Sequence, residues 1–184
     1  DLLAMNLTLP SYQRPYSWSV KSTNTLFNDI YEAYKNELNE YRLGSVILHK
    51  DFSEKYNIVD GQQRLTTISI LLYCLNDYKQ FMLNEKYSHE SIDVIVTNFR
   101  VLLKRVKELT HDELEKYKDY LLNQCTTVKI VTDSEQEAFQ FFDSQNTRGK
   151  ELAPHDLLKS YHLREMNSED ETQKVKTINS WENM

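Results

Sequence analysis

The strongest constraint on the fold is a short polar segment between an apolar strand and an apolar helix. Residues 56–59 read YNIV, which predicts a strand. Apolar residues then recur at helical spacing from Leu65 onward, which predicts a buried helix over residues 62–84. Between them lies DGQQR, residues 60–64. A glycine-containing turn that leads into a helix presents outward-facing N–H groups to an anion, and the helix dipole favours negative charge there. We therefore predict an anion-binding turn.

Arg64 supports this interpretation, although an alternative stays open. Arg64 falls in the first helical turn, where a cation opposes the helix dipole, and a bound phosphate or carboxylate would remove that conflict. The alternative is a capping box without any ligand, because Asp60 is followed three residues later by Gln63. A capping box leaves Arg64 and the pairing of Gln62 with Gln63 unexplained.

Composition restricts the class of protein. A chain of 184 residues can build one well-buried core, or one domain plus a helical extension. A net charge of −6 opposes a broad nucleic-acid surface. The mean hydropathy of −0.65 and the lack of a long apolar run argue against a membrane span, and no signal peptide is visible. We expect a cytoplasmic protein and, since the chain does not begin with Met, a piece of a longer one.

The metal-binding residue types show no pattern of their own. Cys74 and Cys125 are isolated, which is typical of small buried residues in a reducing compartment. The five histidines lack the spacing of metal ligands, so a zinc site is not expected.

Glycine and proline are scarce, with three of each in the chain. All but one fall beside polar clusters, at Pro10, Pro15, Gly61, Gly149 and Pro154. Only Gly44, which opens a predicted strand, lies elsewhere. Residues that allow special backbone conformations therefore coincide with polar side chains, which is unusual for a plain helical scaffold.

Periodicity predicts both helices and strands. The predicted helices cover residues 23–38, 62–84, 90–108, 111–124 and 135–143, with another beginning at Pro154 and a helical segment over residues 169–184. The predicted strands cover residues 43–49, 56–59 and 126–132, after an extended segment at residues 7–10.

A second polar cluster occupies residues 10–18, PSYQRPYSW. Two prolines stiffen this segment, so Gln13 and Arg14 have fixed positions, and a guanidinium between aromatic rings can hold a phosphate or carboxylate. For Gln13 and Arg14, ligand binding and a structural role both stay open. The aromatic residues are better explained as anchors that fasten the segment to the core: Tyr12, Tyr16 and Trp18.

A third cluster occupies residues 139–149, FQFFDSQNTRG. Its three phenylalanines are expected to bury a helix that Asn146 ends, and Arg148 beside Gly149 offers another guanidinium. Spacing alone favours a structural corner closed by Asn and Gly. Taken together, three clusters that each place an arginine beside amides in a constrained turn predict one polyphosphate-sized pocket. The chain has neither a Walker A motif nor GxGxxG.

The order of four motifs resembles a known family. PSYQRPYSW, LGSVIL, IVDGQQRLTTISIL and FFDSQNTRGKELAPHDLLKSY are similar, in order and spacing, to the GmrSD restriction endonuclease N-terminal family over about residues 5–165. The resemblance implies an α+β domain at residues 1–165, with a small mixed sheet of ParB/sulfiredoxin-like type and several appended helices. Residues 166–184 would then begin a helical extension towards a C-terminal part.

The resemblance also implies a function. The family belongs to prokaryotic defence systems that restrict modified phage DNA; its N-terminal part is thought to bind and hydrolyse nucleoside triphosphates, while a separate HNH-type part cuts DNA. The matching residues are Gln13 and Arg14 of the YQR motif, Asp60, Gly61, Gln62, Gln63 and Arg64 of the signature turn, and Asn146, Arg148 and Gly149 of the NxRG motif. No HNH-type His–Asn–His set is visible, so this chain is not expected to cut DNA itself.

We expect this domain to bind a nucleoside triphosphate with Mg²⁺ and to hydrolyse it, gating a nuclease located elsewhere. Arg14, Arg64 and Arg148 would hold phosphate charge. Asp60 would hold Mg²⁺ or orient a water, assisted by Gln62 or Gln63. DNA would be contacted through the full-length protein. Two rival hypotheses are a non-hydrolysing sensor of modified DNA and a helical interaction scaffold in which the motifs only close turns.

Overall fold

The computed structural model describes residue 2, residues 5–77 and residues 81–146. In that part of the chain, four strands and five α-helices follow one another as β1 (Leu7–Thr8), α1 (Val20–Lys35), β2 (Tyr41–Lys50), β3 (Tyr56–Asp60), α2 (Gln62–Cys74), α3 (His89–Lys107), α4 (His111–Asn123), β4 (Cys125–Thr132) and α5 (Glu135–Asn146). A short 3₁₀ helix, Phe81–Asn84, lies between α2 and α3. The predicted α+β class is confirmed.

The strands form one mixed sheet in the order β1-β3-β2-β4. The hairpin of β2 and β3 is antiparallel, whereas β1 adds to β3 and β4 adds to β2 in parallel. The hairpin turn is closed by the Asp51 carboxylate, which accepts hydrogen bonds from the backbone N–H groups of Ser53 and Lys55 at 2.8 and 3.0 Å. The predicted small mixed sheet is thereby confirmed, with β3 as an inner strand that ends at Asp60.

Helix α2 is the most enclosed helix in the described part of the chain. Ten of its 13 residues are buried, so it needs apolar or small polar residues on nearly every side. It packs into a core shared with α1, α3 and α4, which includes Phe27, Ile30, Leu71 and Tyr117. Burying each such side chain contributes roughly 1.5–3 kcal/mol, so α2 is firmly held and its N-terminus has a fixed position.

The predicted end of the buried helix at residue 84 is wrong. Helix α2 ends at Cys74, and Asn76 adopts a left-handed conformation with φ of +63°. The N–H of Asp77 then donates to the Leu72 carbonyl, and the N–H of Asn76 donates to the Tyr73 carbonyl. This Schellman motif satisfies the last carbonyls and turns the chain away from the helix. The apolar residues that follow belong to the separate 3₁₀ helix.

Other boundaries shift less. Helix α1 begins at Val20 rather than residue 23, because the Ser19 side chain accepts a hydrogen bond from the Ser22 N–H and caps the helix. In α5, Phe139 and Phe142 pack against the core as predicted, but Phe141 is 44% exposed, so its predicted burial is wrong.

Two predicted segments lie where the structure describes no residues. The helix predicted to begin at Pro154 and the extension at residues 166–184 lie outside the described residues. Among the helices of the described segments, none combines the length and apolar character needed to cross a membrane.

Candidate functional site

The site begins where β3 passes into α2. Asp60 is the last residue of β3, Gly61 is the N-cap with a left-handed φ of +95°, and α2 starts at Gln62. A Cβ at Gly61 would stand 2.9 Å from Cγ2 of Val46, so both the backbone conformation and the space require glycine. The first helical hydrogen bond runs from the Leu65 N–H to the Gly61 carbonyl. The preceding N–H groups of α2 therefore have no acceptor within the helix.

The capping-box alternative is wrong. Gly61 is the N-cap and has no side chain with which to cap the helix. The Gln63 side chain turns instead to residues 10–18, which we call the arm. Its Nε2 donates to the Pro15 carbonyl at 3.0 Å, and its Oε1 accepts from the Ser17 N–H at 2.9 Å. Gln63 therefore fastens the arm to the first turn of α2.

Arg64 reaches from α2 to strand β2. Its Nη1 donates to the Ser45 carbonyl at 2.9 Å. An added Cβ at Gly44 would stand 3.1 Å from each of Cζ, Nη1 and Nη2, so the guanidinium plane lies over this glycine. Gly44 has a φ of +109°. Gly44 therefore belongs to the site in space, although it lies apart from the polar clusters in the sequence.

The Asp60 carboxyl group interacts with charged residues of two polar clusters, Arg64 of the signature turn and Arg14 of the arm. Burial raises the pKa of its carboxyl group from the ordinary value of 3.8, while the Gly61 backbone hydrogen bond, the Arg64 charge and the Arg14 charge all oppose that rise. Arg14 is exposed and Arg64 is half-buried. Two guanidinium groups that are distant in sequence thus act on one partly enclosed carboxylate.

The two remaining predicted glutamines lie at the same junction. Gln13 is half-buried, and its Nε2 donates to the carbonyls of Ile58 and Val59 at 2.6 and 2.8 Å. Gln62, the first residue of α2, is buried. The phosphate-binding role predicted for Gln13 and the catalytic roles predicted for Gln62 and Gln63 stay predictions.

The aromatic residues of the arm anchor it, as predicted. Tyr16 is fully buried, and its hydroxyl lies 2.7 Å from the Thr67 hydroxyl and accepts from Asn98 Nδ2 at 2.9 Å. Tyr12 packs against Phe139 of α5, with ring centroids 5.3 Å apart, and burial raises the pKa of its hydroxyl. The arm therefore contacts both the helical core and the helix that carries the third cluster.

The end of α5 also reaches the site. The Ser45 hydroxyl donates to Oε1 of Gln145 at 2.6 Å, and the carbonyl of the same serine accepts from Arg64. Arg148, Gly149 and the side chain of Asn146 lie outside the described residues. The position of Arg148 beside the other two arginines therefore stays a prediction.

Sequence reasoning missed three residues here: Gly44, Ser45 and Gln145. An isolated glycine within a strand pattern is a signal for a bulge or for close approach of another group, and Gly44 fits that signal. The pairing of β2 with β4 is irregular between Arg42 and Ser45. Nothing local in the sequence indicates that Ser45 bonds to Gln145, because that contact depends on the packing of α5.

The side chains at the site determine whether it could bind a metal ion. Among the residues that the structure describes, no three His, Cys, Asp or Glu side chains come together as a metal site. A Mg²⁺ that arrives with phosphates needs only one or two carboxylates, since phosphate oxygens and waters complete its shell. Asp60 beside the α2 N-terminus fits that requirement.

A separate cleft of about 630 Å³ lies between the end of α1 and helix α4. Its lining includes Tyr34, Glu115 and Tyr120, and none of the predicted site residues.

Comparison with known proteins identifies the family. The family model described as "GmrSD restriction endonuclease, N-terminal domain" matches residues 1–163. No curated protein matches the chain significantly. The matched region contains the whole junction described above. The chain therefore belongs to the GmrSD restriction endonuclease N-terminal domain family.

Proposed function

We propose that this domain binds a nucleoside triphosphate at the β3–α2 turn and hydrolyses it. The observation that carries the proposal is the left-handed Gly61 turn, which places Asp60 directly before the first N–H groups of α2, with Arg64 on the first turn of the same helix. The Arg64 and Arg14 charges both favour the ionised form of the Asp60 carboxyl group. Two cations, one carboxylate and the first N–H groups of a buried helix form a combination suited to phosphate chemistry.

The positive groups would hold the phosphates. A guanidinium has five N–H donors, and the Ser45 carbonyl takes one from Arg64. The phosphate oxygens would accept hydrogen bonds from the other guanidinium N–H groups of Arg64, from the exposed Arg14 and from the first N–H groups of α2. Phosphoryl transfer depends mainly on such positioning and charge stabilisation, so these groups would favour the transition state.

Asp60 would act on the attacking water. Burial raises the pKa of Asp60, which makes its carboxylate a stronger base than an exposed one. The water oxygen would form a bond to the terminal phosphorus while the bridging P–O bond breaks, and the carboxylate would accept the water proton. The products would be a nucleoside diphosphate and inorganic phosphate.

Mg²⁺ is the cofactor that we propose for this reaction. It would neutralise charge on the phosphates when bound, and Asp60 would be its protein ligand. One oxygen of the Asp60 carboxylate would then hold Mg²⁺, and the other would orient the attacking water and accept its proton.

Family membership makes the chain a component of a restriction system. We infer that hydrolysis in this domain gates a nuclease of HNH type in another part of that system, and that DNA is contacted there. The net charge of −6 supports this division of labour, because it disfavours avid DNA binding by this domain alone.

Phosphate release tests the proposal. Each of the four common ribonucleoside triphosphates would be incubated with Mg²⁺ and purified protein. Wild type should release phosphate from at least one of them, and Arg64→Ala should slow that release by roughly 100-fold or more, the usual cost of removing a charge-stabilising donor. Arg100→Ala is the matched control, since Arg100 is exposed on α3, and it should leave the rate unchanged. Absence of release from all four nucleotides would contradict hydrolysis, and duplex-DNA binding without nucleotide binding would support the sensor hypothesis.

A further inference from the structure

The backbone around Arg14 is held from its N-terminal side by Gln13. Strand β1 pairs with β3 only at Tyr56 and Asn57, so the same edge of β3 has no strand partner beyond them in the described part of the chain. The Gln13 amide occupies that place by donating to the carbonyls of Ile58 and Val59. It thereby ties the arm to backbone acceptors of β3.

A β-bulge explains how one amide reaches two successive carbonyls. Leu48 pairs with Ile58 and Ile47 pairs with Asp60, so Val59 is an extra residue in β3. Successive carbonyls normally point to opposite edges of a strand, and a bulge removes that alternation locally. The bulge lies directly before Asp60 and therefore also sets where that carboxylate points.

The backbone on the C-terminal side of Arg14 is held by Gln63. Both polar ends of this amide are used, because Nε2 donates to the Pro15 carbonyl and Oε1 accepts from the Ser17 N–H. A ligand could take this amide only by releasing the arm. The neighbours of Arg14 are therefore both held at the β3–α2 junction. Gln13 bonds to β3 through its own amide, and Pro15 is bonded by Gln63 of α2.

We propose that Gln13 and Gln63 are positioning residues that hold the backbone on both sides of Arg14 against the β3–α2 junction. They would act on a bound nucleotide through Arg14 and not by touching it. This inference rests on the proposed nucleotide site for its functional consequence, but the clamp itself is a property of the protein without ligand.

A simpler explanation is that Tyr16 alone anchors the arm. Its ring is buried, and its backbone N–H donates to the Ser91 hydroxyl at 2.9 Å. That anchor fixes residue 16, whereas Pro15 and Ser17 are bonded by Gln63. The two explanations therefore differ in what they predict for the Ser17 N–H. Hydrogen exchange can separate them, because each N–H reports its own acceptor.

Amide hydrogen exchange of the full chain without nucleotide tests the clamp. Gln63→Ala should cause loss of protection at the Ser17 amide, while the Tyr16 amide, which bonds to Ser91, should keep its protection. Gln63→Glu should preserve protection at Ser17 because a carboxylate can still accept that bond. Unchanged exchange at Ser17 in Gln63→Ala would overturn the clamp, and so would simultaneous loss at Tyr16 and Ser17.

A double-mutant cycle tests the consequence, with the β,γ-imido analogues of ATP and GTP plus Mg²⁺ as probes. Arg14→Ala and Gln63→Ala should each weaken binding of the tighter analogue by roughly tenfold or more, as expected when a hydrogen bond to a charged group is lost. The double variant should bind no more weakly than Arg14→Ala alone. Additive losses would overturn the indirect role of Gln63. Absence of analogue binding in wild type would contradict the proposed function, whereas the exchange measurement would still decide the clamp.

Discussion

The guanidinium of Arg64 lies over Gly44, so that a Cβ added at this glycine would stand 3.1 Å from Cζ, Nη1 and Nη2. The neighbouring Ser45 carbonyl accepts a hydrogen bond from the same guanidinium. Strand β2 therefore provides both a flat surface and an acceptor for an arginine that α2 supplies. A Cβ at position 44 would require the guanidinium to shift by a few tenths of an ångström, and the φ of +109° would strain any side chain there.

Replacement of Gly44 tests whether the position of Arg64 against strand β2 matters for ligand binding. Gly44→Ala should weaken nucleotide binding by roughly tenfold, because a hydrogen bond from a displaced Arg64 to a phosphate would be lost. Isothermal titration with the Mg²⁺ complex of the nucleotide measures the affinity. In an Arg64→Ala background, Gly44→Ala should cause no further loss. An equal loss in both backgrounds would show that Gly44 acts independently of Arg64.

Replacement of Gly61 should affect stability directly. Gly61→Ala combines an unfavourable φ of +95° with a 2.9 Å approach to Val46 Cγ2, so it should lower the free energy of unfolding by roughly 1–3 kcal/mol. Urea denaturation measures this change. Adding Val46→Ala removes the close approach but not the backbone strain, so it should restore only part of the loss, after correction for Val46→Ala alone. An unchanged urea midpoint in Gly61→Ala would contradict the left-handed turn.

Asp60→Asn should stabilise the protein at neutral pH when nucleotide and divalent cations are absent. The unfolded carboxyl ionises near 3.8, and the folded carboxyl ionises at a higher pH because burial raises its pKa. Wild-type stability attributable to this group therefore falls as the pH rises from about 3.8 through the folded pKa, whereas asparagine does not titrate. Thermal denaturation from pH 3 to pH 7 in EDTA measures the difference. A variant less stable than wild type at pH 7 would show that the arginine partners outweigh burial.

Both thiols should be unreactive in the folded protein. Burial raises the pKa of Cys74 and Cys125 to about 12 from an ordinary value of 9.0. At pH 8 the thiolate fraction is therefore small, and reaction with a disulfide reagent should be at least about tenfold slower than in denaturant. The same shift lowers the free energy of unfolding as pH rises from about 9 to about 12. Cys74 is buried and Cys125 is half-buried, so rapid reaction of the native Cys74 thiol would contradict its position in the core.

The strand–turn–helix unit around Asp60 could be predicted because its signals are local. Apolar spacing identifies α2, and Gly61 marks the turn. The end of α2 could not be predicted from the same apolar pattern, since it depends on Asn76 adopting a left-handed conformation. Asparagine tolerates that conformation without requiring it.

The functional assignment of the glutamines shows a different difficulty. The pairing of Gln62 with Gln63 indicated ligand contacts, yet the Gln63 amide is bonded to the arm. The contact of Arg64 with Gly44 could not be predicted from the sequence either, because it depends on the position of β2 beside the start of α2. Such contacts between distant segments are set by tertiary packing and leave no periodic signal.

The most direct test of the central claim is the effect of nucleotide on thermal stability. A triphosphate with Mg²⁺ that binds only the folded state, at about 100 times its Kd, adds roughly 2.7 kcal/mol. For a domain of this size that corresponds to a rise in Tm of roughly 5–10 °C. High salt should reduce the rise, because the exposed Arg14 charge is screened.

The melting temperature would be measured for wild type, Arg64→Ala and the surface control Arg100→Ala with each of four nucleoside triphosphates at millimolar concentration. The account predicts a rise for at least one nucleotide in wild type and Arg100→Ala, and loss of most of that rise in Arg64→Ala. An unchanged melting temperature of wild type with all four nucleotides would contradict it.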